Sequence, residues 1–271
     1  MAQIFTGADY GNRLNAGSRL AMRNIGSPRG AQSAAYNSQH MDVVYLMEDF
    51  LEDAINLDLW DVSQKDTNAT AYVIAGTPGL GGTIAGVAGT TDGEGMSIVG
   101  PAIWKGDNNC GMEVRMQLSY VTNMQFEIGF ADTATNFKDP IVSDIDVVTA
   151  GNGAGDFAVI ALDTAQTLKT AALVTLGSTP YTVTKSLIGT FAPTVNTYFT
   201  ARVQLVGDSA MAQIYNATGG LVAQTGISYV ASGAGGIEGG TLVRPYVMVN
   251  RVSTTSINPT IDYVRVWQDR Y

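Results

Sequence analysis

His40 and Cys110 are the chain's whole stock of imidazole and thiol. A Ser–His–Asp or Cys–His machine would have to recruit His40, which lies in a Gly/Ser/Asn/Ala-rich stretch rather than on a scaffold able to aim it. It reads as a surface or interface residue. One imidazole excludes a His-cluster metal centre, and one thiol excludes both an intramolecular disulfide framework and a Cys-rich zinc site. Cys110 follows a polar Asn-Asn turn and precedes a strand pattern, so it reads as a partly buried neutral thiol. Hard oxygen donors suited to calcium occur at Asp107-Asn108-Asn109, and Asp144 and Asp146 could add carboxylates. The EF-hand spacing is missing, and Asn and Asp favour turns for their own reasons. The run Gly76–Gly95, with Gly79, Gly81, Gly82 and Gly86, has neither the Lys-Ser/Thr nor the strand-then-helix setting of a phosphate loop. It reads as a flexible loop with short strand pieces. No metal, no cofactor and no catalytic residue is expected.

Charge is the next constraint. Of 271 residues only 14% are charged, and the net charge is -9. Residues 1–40 hold four arginines (Arg13, Arg19, Arg23 and Arg29) against one acid, Asp9, so the remainder carries the negative excess. A basic leader on an acidic body is either a solvated tail or an arm that docks on an acidic neighbour, a sister subunit or an underlying protein lattice. Four arginines without lysine runs or interleaved aromatics make a poor phosphate footprint, so no nucleic-acid partner is expected. No apolar run is long enough for a membrane helix, so no membrane is expected as a partner. The first residues lack a basic region followed by an apolar one, which suggests synthesis in a reducing cytoplasm and later release. The Asn-x-Thr triplets at Asn68 and Asn216 are then incidental.

The elements that must position these residues are strands. Met112–Tyr120, Phe126–Ala131 and Phe199–Leu205 alternate apolar and polar, which places one face on a core and the other in solvent. Asp156–Leu162 is continuously apolar and reads as a central strand. Leu242–Val252, Ile261–Gln268, Ala54–Val62, Thr170–Leu176, Thr182–Leu187, Met211–Tyr215 and Leu221–Gln224 are further candidates. Turn signals such as Gly106-Asp-Asn-Asn109, Gly207-Asp208 and Asn216–Gly220 separate them. Many short strands without a long helix predict an all-β antiparallel sandwich. Met41–Ile55 fits helix and strand equally well.

Glu48-Asp-Phe-Leu51 with Leu57-Asp-Leu-Trp-Asp-Val62 resembles the opening of concanavalin A-like (laminin-G/lectin-type) jelly-roll domains. Ile261-Asp-Tyr-Val-Arg-Val-Trp267 resembles their closing strand. Met112-Glu-Val-Arg115 followed by Phe126-Glu-Ile-Gly-Phe-Ala-Asp132 is similar to lectin-like domains of tailed-phage virion proteins. The likeness spans roughly residues 45–271. It implies an extended Met41–Phe50, first and last strands close together in one sheet, and a division into a basic N-terminal arm, 1–40, and a sandwich, 41–271.

The resemblance also implies where enzyme chemistry would sit. Laminarinase-like members carry a Glu-x-Asp-x-(x)-Glu strand whose alternation aims two carboxylates into one cleft, as a retaining glycosidase requires. Glu127-Ile-Gly129-Phe-Ala131-Asp132 could correspond, but Gly129 and Ala131 follow Glu127 on its face. Glu127 is expected to be a solvent-facing strand residue. Among the tryptophans, Trp60 and Trp267 read as core or sheet-covering, and Trp104, near loops, as the possible glycan platform. These readings together imply a non-enzymatic virion structural protein: a capsid decoration (cement) protein, a homotrimer, bound to the major capsid protein or another virion protein through Arg13, Arg19, Arg23 and Arg29. The alternative is a carbohydrate-binding, host-recognition module of a head or tail fibre, with a surface glycan as partner.

Overall fold

The computed structural model describes residues 43–50, 54–65, 69–75, 82–89, 93–132, 137–146, 149–150, 154–166, 170–177, 183–225, 237–252 and 255–270. The four arm arginines Arg13, Arg19, Arg23 and Arg29, and His40, lie outside them. The body treated below spans residues 45–269.

Period-two stretches become strands because alternation lets one face bury apolar side chains while the backbone pairs laterally. The strands are β1 (Val43–Glu48), β2 (Asp61–Gln64), β3 (Thr70–Ala75), β4 (Thr83–Val87), β5 (Gly95–Val99), β6 (Gly111–Leu118), β7 (Met124–Ala131), β8 (Val142–Asp144) and β9 (Thr149–Ala150). They continue with β10 (Phe157–Asp163), β11 (Ala172–Leu176), β12 (Thr184–Leu187), β13 (Phe199–Val206), β14 (Ser209–Tyr215), β15 (Leu221–Gln224), β16 (Arg244–Arg251) and β17 (Pro259–Asp269). Sheet A is ordered β15-β14-β13-β6-β17-β4-β3, with β1 also paired to β17; sheet B is β12-β11-β10-β7-β16-β5-β2; β8 and β9 pair separately. Among the described residues no helix is long and apolar enough to cross a membrane.

The core lies between the sheets. Met112, Val114, Met116 and Leu118 of β6 and Ala201, Val203 and Leu205 of β13 meet Phe126, Ile128 and Phe130 of β7, all buried. The rings of Phe126 and Phe199 touch across the gap, with centroids 5.7 Å apart. Burial of each large apolar side chain contributes roughly 1.5–3 kcal/mol.

Several expectations need correction. Ala54–Val62 is not a strand: the amides of Leu59 and Trp60 donate to the Asn56 carbonyl, and the Asn56 side chain accepts from Asp58 N–H, so the chain turns and extends only at Asp61. The opening stretch is therefore split. β1 lies beside the last strand β17 in sheet A, as the resemblance implied, but β2, with Asp61 and Val62, belongs to sheet B. The short strand pieces expected in the Gly76–Gly95 run are present as β4 and the first residue of β5. Cys110 is fully buried rather than partly so. Met41–Phe50 is extended where described, in β1.

Alternation places one inward and one outward set on each strand, yet part of the outward set is not in solvent. Glu113, Glu127 and Arg202, all on polar positions of alternating strands, are buried. Each outer face thus holds buried polar side chains, and each carries a site.

Candidate functional site

On the outer face of sheet B, β7 presents Gln125, Glu127, Gly129 and Ala131. Register sets Met248 of β16 and Ala161 of β10 on either side of Glu127. The floor around it is apolar: Val99, Ala131, Phe157, Val159, Ala161, Ala172, Val174, Tyr246 and Met248 form one buried cluster. The strap Phe137–Asp146 closes over this floor, inserting Ile141, Val142 and Ile145. Glu127 Oε2 accepts the Ile141 N–H and Oε1 the Val142 N–H, each at 2.8 Å. Gln125 Nε2 donates to the Val142 carbonyl at 2.6 Å. Lys185 Nζ donates to the carbonyls of Ile145 (2.7 Å) and Asp146 (3.0 Å). Lys65 pairs with Asp139 at 2.6 Å, at a partly exposed margin.

Glu127 is thus no solvent-facing residue; it is 0% exposed. The correction has a simple cause: the strap supplies the backbone donors that water would otherwise supply. Burial pushes its carboxyl up to about 7, against the opposing pull of the Ile141 and Val142 amides and of Tyr246. Desolvation outweighs the hydrogen bonds because it penalises the charged form of a group with no nearby cation. The Tyr246 hydroxyl, which donates to the Asp139 carbonyl at 3.4 Å, is itself raised, first by burial and then by Glu127.

A glycosidase needs a second carboxylate aimed into the same cleft. On β7 the alternate positions are Gly129 and Ala131. On the adjacent β10 they are Phe157, Val159, Ala161 and Asp163, and Asp163 stands opposite Gln125, one diagonal from Glu127. Asp163 accepts the Ala165 N–H at 2.8 Å, so its own turn occupies it. Burial raises its pKa despite that bond, and Glu127 is not among the causes. The two carboxyls act separately, one on the strap and one on a turn.

Sheet A carries a different construction. Glu113 of β6, Arg202 of β13 and Arg265 of β17 stand in one cross-strand row. Glu113 Oε2 accepts from Arg202 Nε (3.0 Å) and Nη2 (2.7 Å) and from Arg265 Nη2 (2.7 Å). Its Oε1 accepts from the Tyr263 hydroxyl at 2.6 Å. Burial would raise the Glu113 pKa, but the guanidiniums of Arg265 and Arg202, with Tyr263, outweigh it and hold the carboxyl below its usual range. Trp267 covers the row, its ring 5.8 Å from the Arg265 guanidinium and 5.9 Å from that of Arg202. The ring lies over Gly111, where a Cβ would sit 2.5 Å from the indole, so the residue opposite Trp267 has to be glycine. Arg115 pairs with Asp262 one step along β17 and stacks on Tyr198.

The sequence-designated candidates fall elsewhere. Trp104 is 0% exposed and offers no platform to a glycan. Gln268 clamps its neighbours, accepting from Lys105 N–H and donating to the Ile103 carbonyl, while Val243 N–H bonds Trp104 O, which turns the indole inward. Trp60 and Trp267 are buried, in line with a core or sheet-covering role. Asp107, Asn108 and Asn109 form a turn: Asp107 N–H donates to the Gly239 carbonyl, and Asn109 is left-handed with φ 50 and bonds Asp269. Asp144 accepts the Asp146 N–H. Among the described residues no group of three or more His, Cys, Asp or Glu is arranged to hold a metal ion. The Glu113–Arg202–Arg265 row escaped sequence reading, although opposite charges flanked by apolar residues in separate strands (Met-Glu-Val, Ala-Arg-Val, Val-Arg-Val) were the available signal.

With the two faces in view, comparison with solved structures is informative. A protein of unknown function from Shewanella oneidensis MR-1 is similar over 90% of this chain and 95% of its own, at 15% identity and TM-score 0.60. Peanut lectin is similar over 83% of this chain and 97% of its own, at 9% identity and TM-score 0.52. The non-specific endo-β-1,3(4)-glucanase SCLam, of family GH16, matches 84% of this chain and 92% of its own, at 13% identity and TM-score 0.55. The body is a concanavalin A-like jelly-roll sandwich. No protein-family model and no curated protein matches the sequence. At such identities the likeness carries the fold and nothing finer.

Proposed function

We propose that this jelly roll is a non-catalytic structural protein of a virus particle, a decoration protein fastened to the capsid lattice by its basic segment 1–40. The observation that carries the non-catalytic part is the strap. The face on which a strand could aim paired carboxylates into a cleft is filled by Ile141, Val142 and Ile145, and Glu127 is spent on strap amides. The attachment part is supported by charge: four arginines and one acid precede a body of opposite sign. Several modest contacts spread along a tethered arm give attachment by effective concentration.

The test uses the full chain with Arg13, Arg19, Arg23 and Arg29 changed to glutamate. Incorporation into particles is expected to fall at least tenfold with the melting transition unchanged; undiminished occupancy overturns the arm. Light scattering on the purified protein checks the expected trimer. Turnover of β-glucans in a reducing-sugar assay, abolished by Glu127→Gln, would overturn the non-catalytic reading.

A second reading, a glycan-binding module, is favoured by the likeness to peanut lectin. Saturable binding on a glycan array by the wild-type chain would support it. With Trp104 buried, such a site would lie on the loops and not on that ring.

A further inference from the structure

We propose that the Arg202–Arg265 pair on the outer face of sheet A holds a small monovalent anion, of the size of chloride or formate, as a structural counter-ion. The row has one negative side chain for two positive ones, and all three are nearly excluded from water, at 4% (Glu113), 7% (Arg202) and 1% (Arg265) side-chain exposure. Glu113 is saturated: three N–H groups converge on Oε2 and the Tyr263 hydroxyl on Oε1. It therefore cannot serve the remaining donors of Arg265. Its Nε and Nη1 are buried without a hydrogen-bond partner.

The neighbouring pair offers no relief, because Asp262, the adjacent carboxylate, is engaged by Arg115. A buried guanidinium that shares its one carboxylate with a second guanidinium and keeps unfilled donors is costly. Planar guanidinium forks bind oxyanions and halides well, and a low dielectric strengthens the attraction. The flanking rings of Trp267 and Tyr263 stack on the guanidiniums and leave their N–H edges available. The burial of all three side chains limits the occupant to a small ion.

An ion bound only by the folded state raises stability in proportion to the logarithm of its concentration once above its dissociation constant. The experiment is urea unfolding of the full chain at constant ionic strength, replacing sodium methanesulfonate stepwise by chloride or by formate. For the wild type the folding equilibrium constant is expected to stay nearly constant below the anion's dissociation constant and to rise about tenfold per tenfold rise in anion above it. Arg265→Met, which replaces the unfilled cation by an apolar chain, is expected to lose that dependence; Arg202→Met, which brings the row to neutrality, is the second variant should the first not fold. Stabilisation by formate and not chloride supports the site and identifies its ligand as a carboxylate. No anion-specific stabilisation of the wild type, or a response in the Met variants as large as that of the wild type, overturns the proposal.

Discussion

Glu113 and Glu127 sit on successive strands, β6 and β7, each between two inward apolar side chains, and each on the outer face of a different sheet. Both are buried. Glu113 is compensated by side chains brought from β13 and β17, so its charge is held and its pKa falls. Glu127 is met by backbone amides of a strap from its own connection, with no cation beside it, and its pKa climbs to about 7. The difference shows that what covers a carboxylate decides its chemistry more than the strand that carries it. Guanidiniums fix a charge; amides alone fix a position.

Four measurements would break or sharpen that contrast. Glu113→Ala should have the largest effect, because it strands two buried guanidiniums: a loss of about 3–5 kcal/mol in urea unfolding. Replacing Glu113, Arg202 and Arg265 together by apolar residues of similar volume should recover most of that loss, since a buried ionic row contributes little net stability. A triple variant as unstable as Glu113→Ala would show that the row holds the sheet by more than charge balance.

Next in size is pH. Because the folded state raises the Glu127 pKa above its ordinary value of 4.5, that residue's contribution is fully present below about 4.5 and is lost as pH rises to about 7, a swing of roughly 3 kcal/mol. Glu113 has the opposite sign: its contribution is present above 4.5 and is lost as pH falls through its lowered folded value. Urea midpoints across pH 4 to 8 should therefore decline between about 4.5 and 7 and level off above, and Glu127→Gln should flatten that decline. An unaltered slope in the variant would assign the effect to another group.

Gly111→Ala should cost about 1–3 kcal/mol, because the methyl meets the Trp267 ring and the row beneath it must shift. Near-wild-type stability would mean that the ring moves freely. The smallest effect belongs to Lys65→Ala, which removes a partly exposed ion pair at the strap margin and should change stability by less than about 1 kcal/mol. Amide exchange at Ile141 and Val142 should remain slow in that variant and become fast in Glu127→Ala.

The sandwich was legible because alternation is a one-dimensional record of two-sided burial: Met112 to Leu118 and Phe199 to Leu205 show it plainly, and both became central strands. The site was not, because alternation says which residues share a face and not whether that face is covered. Glu127 and Glu113 read alike in sequence. Their partners come from Ile141 and Val142 in one case and from Arg202 and Arg265 in the other, and only register and chain path bring those together. Trp104 failed for a related reason: proximity to turns does not give exposure once Gln268 and Val243 fasten the backbone on either side.

The strap also decides where other molecules can meet this one. By lying across sheet B it converts part of an outer sheet surface into interior. Among the described residues, apolar groups that remain open include Leu187 on β12 and Leu221 and Val222 on β15, each the outermost strand of its sheet, and Ile103 and Leu242 on connecting segments.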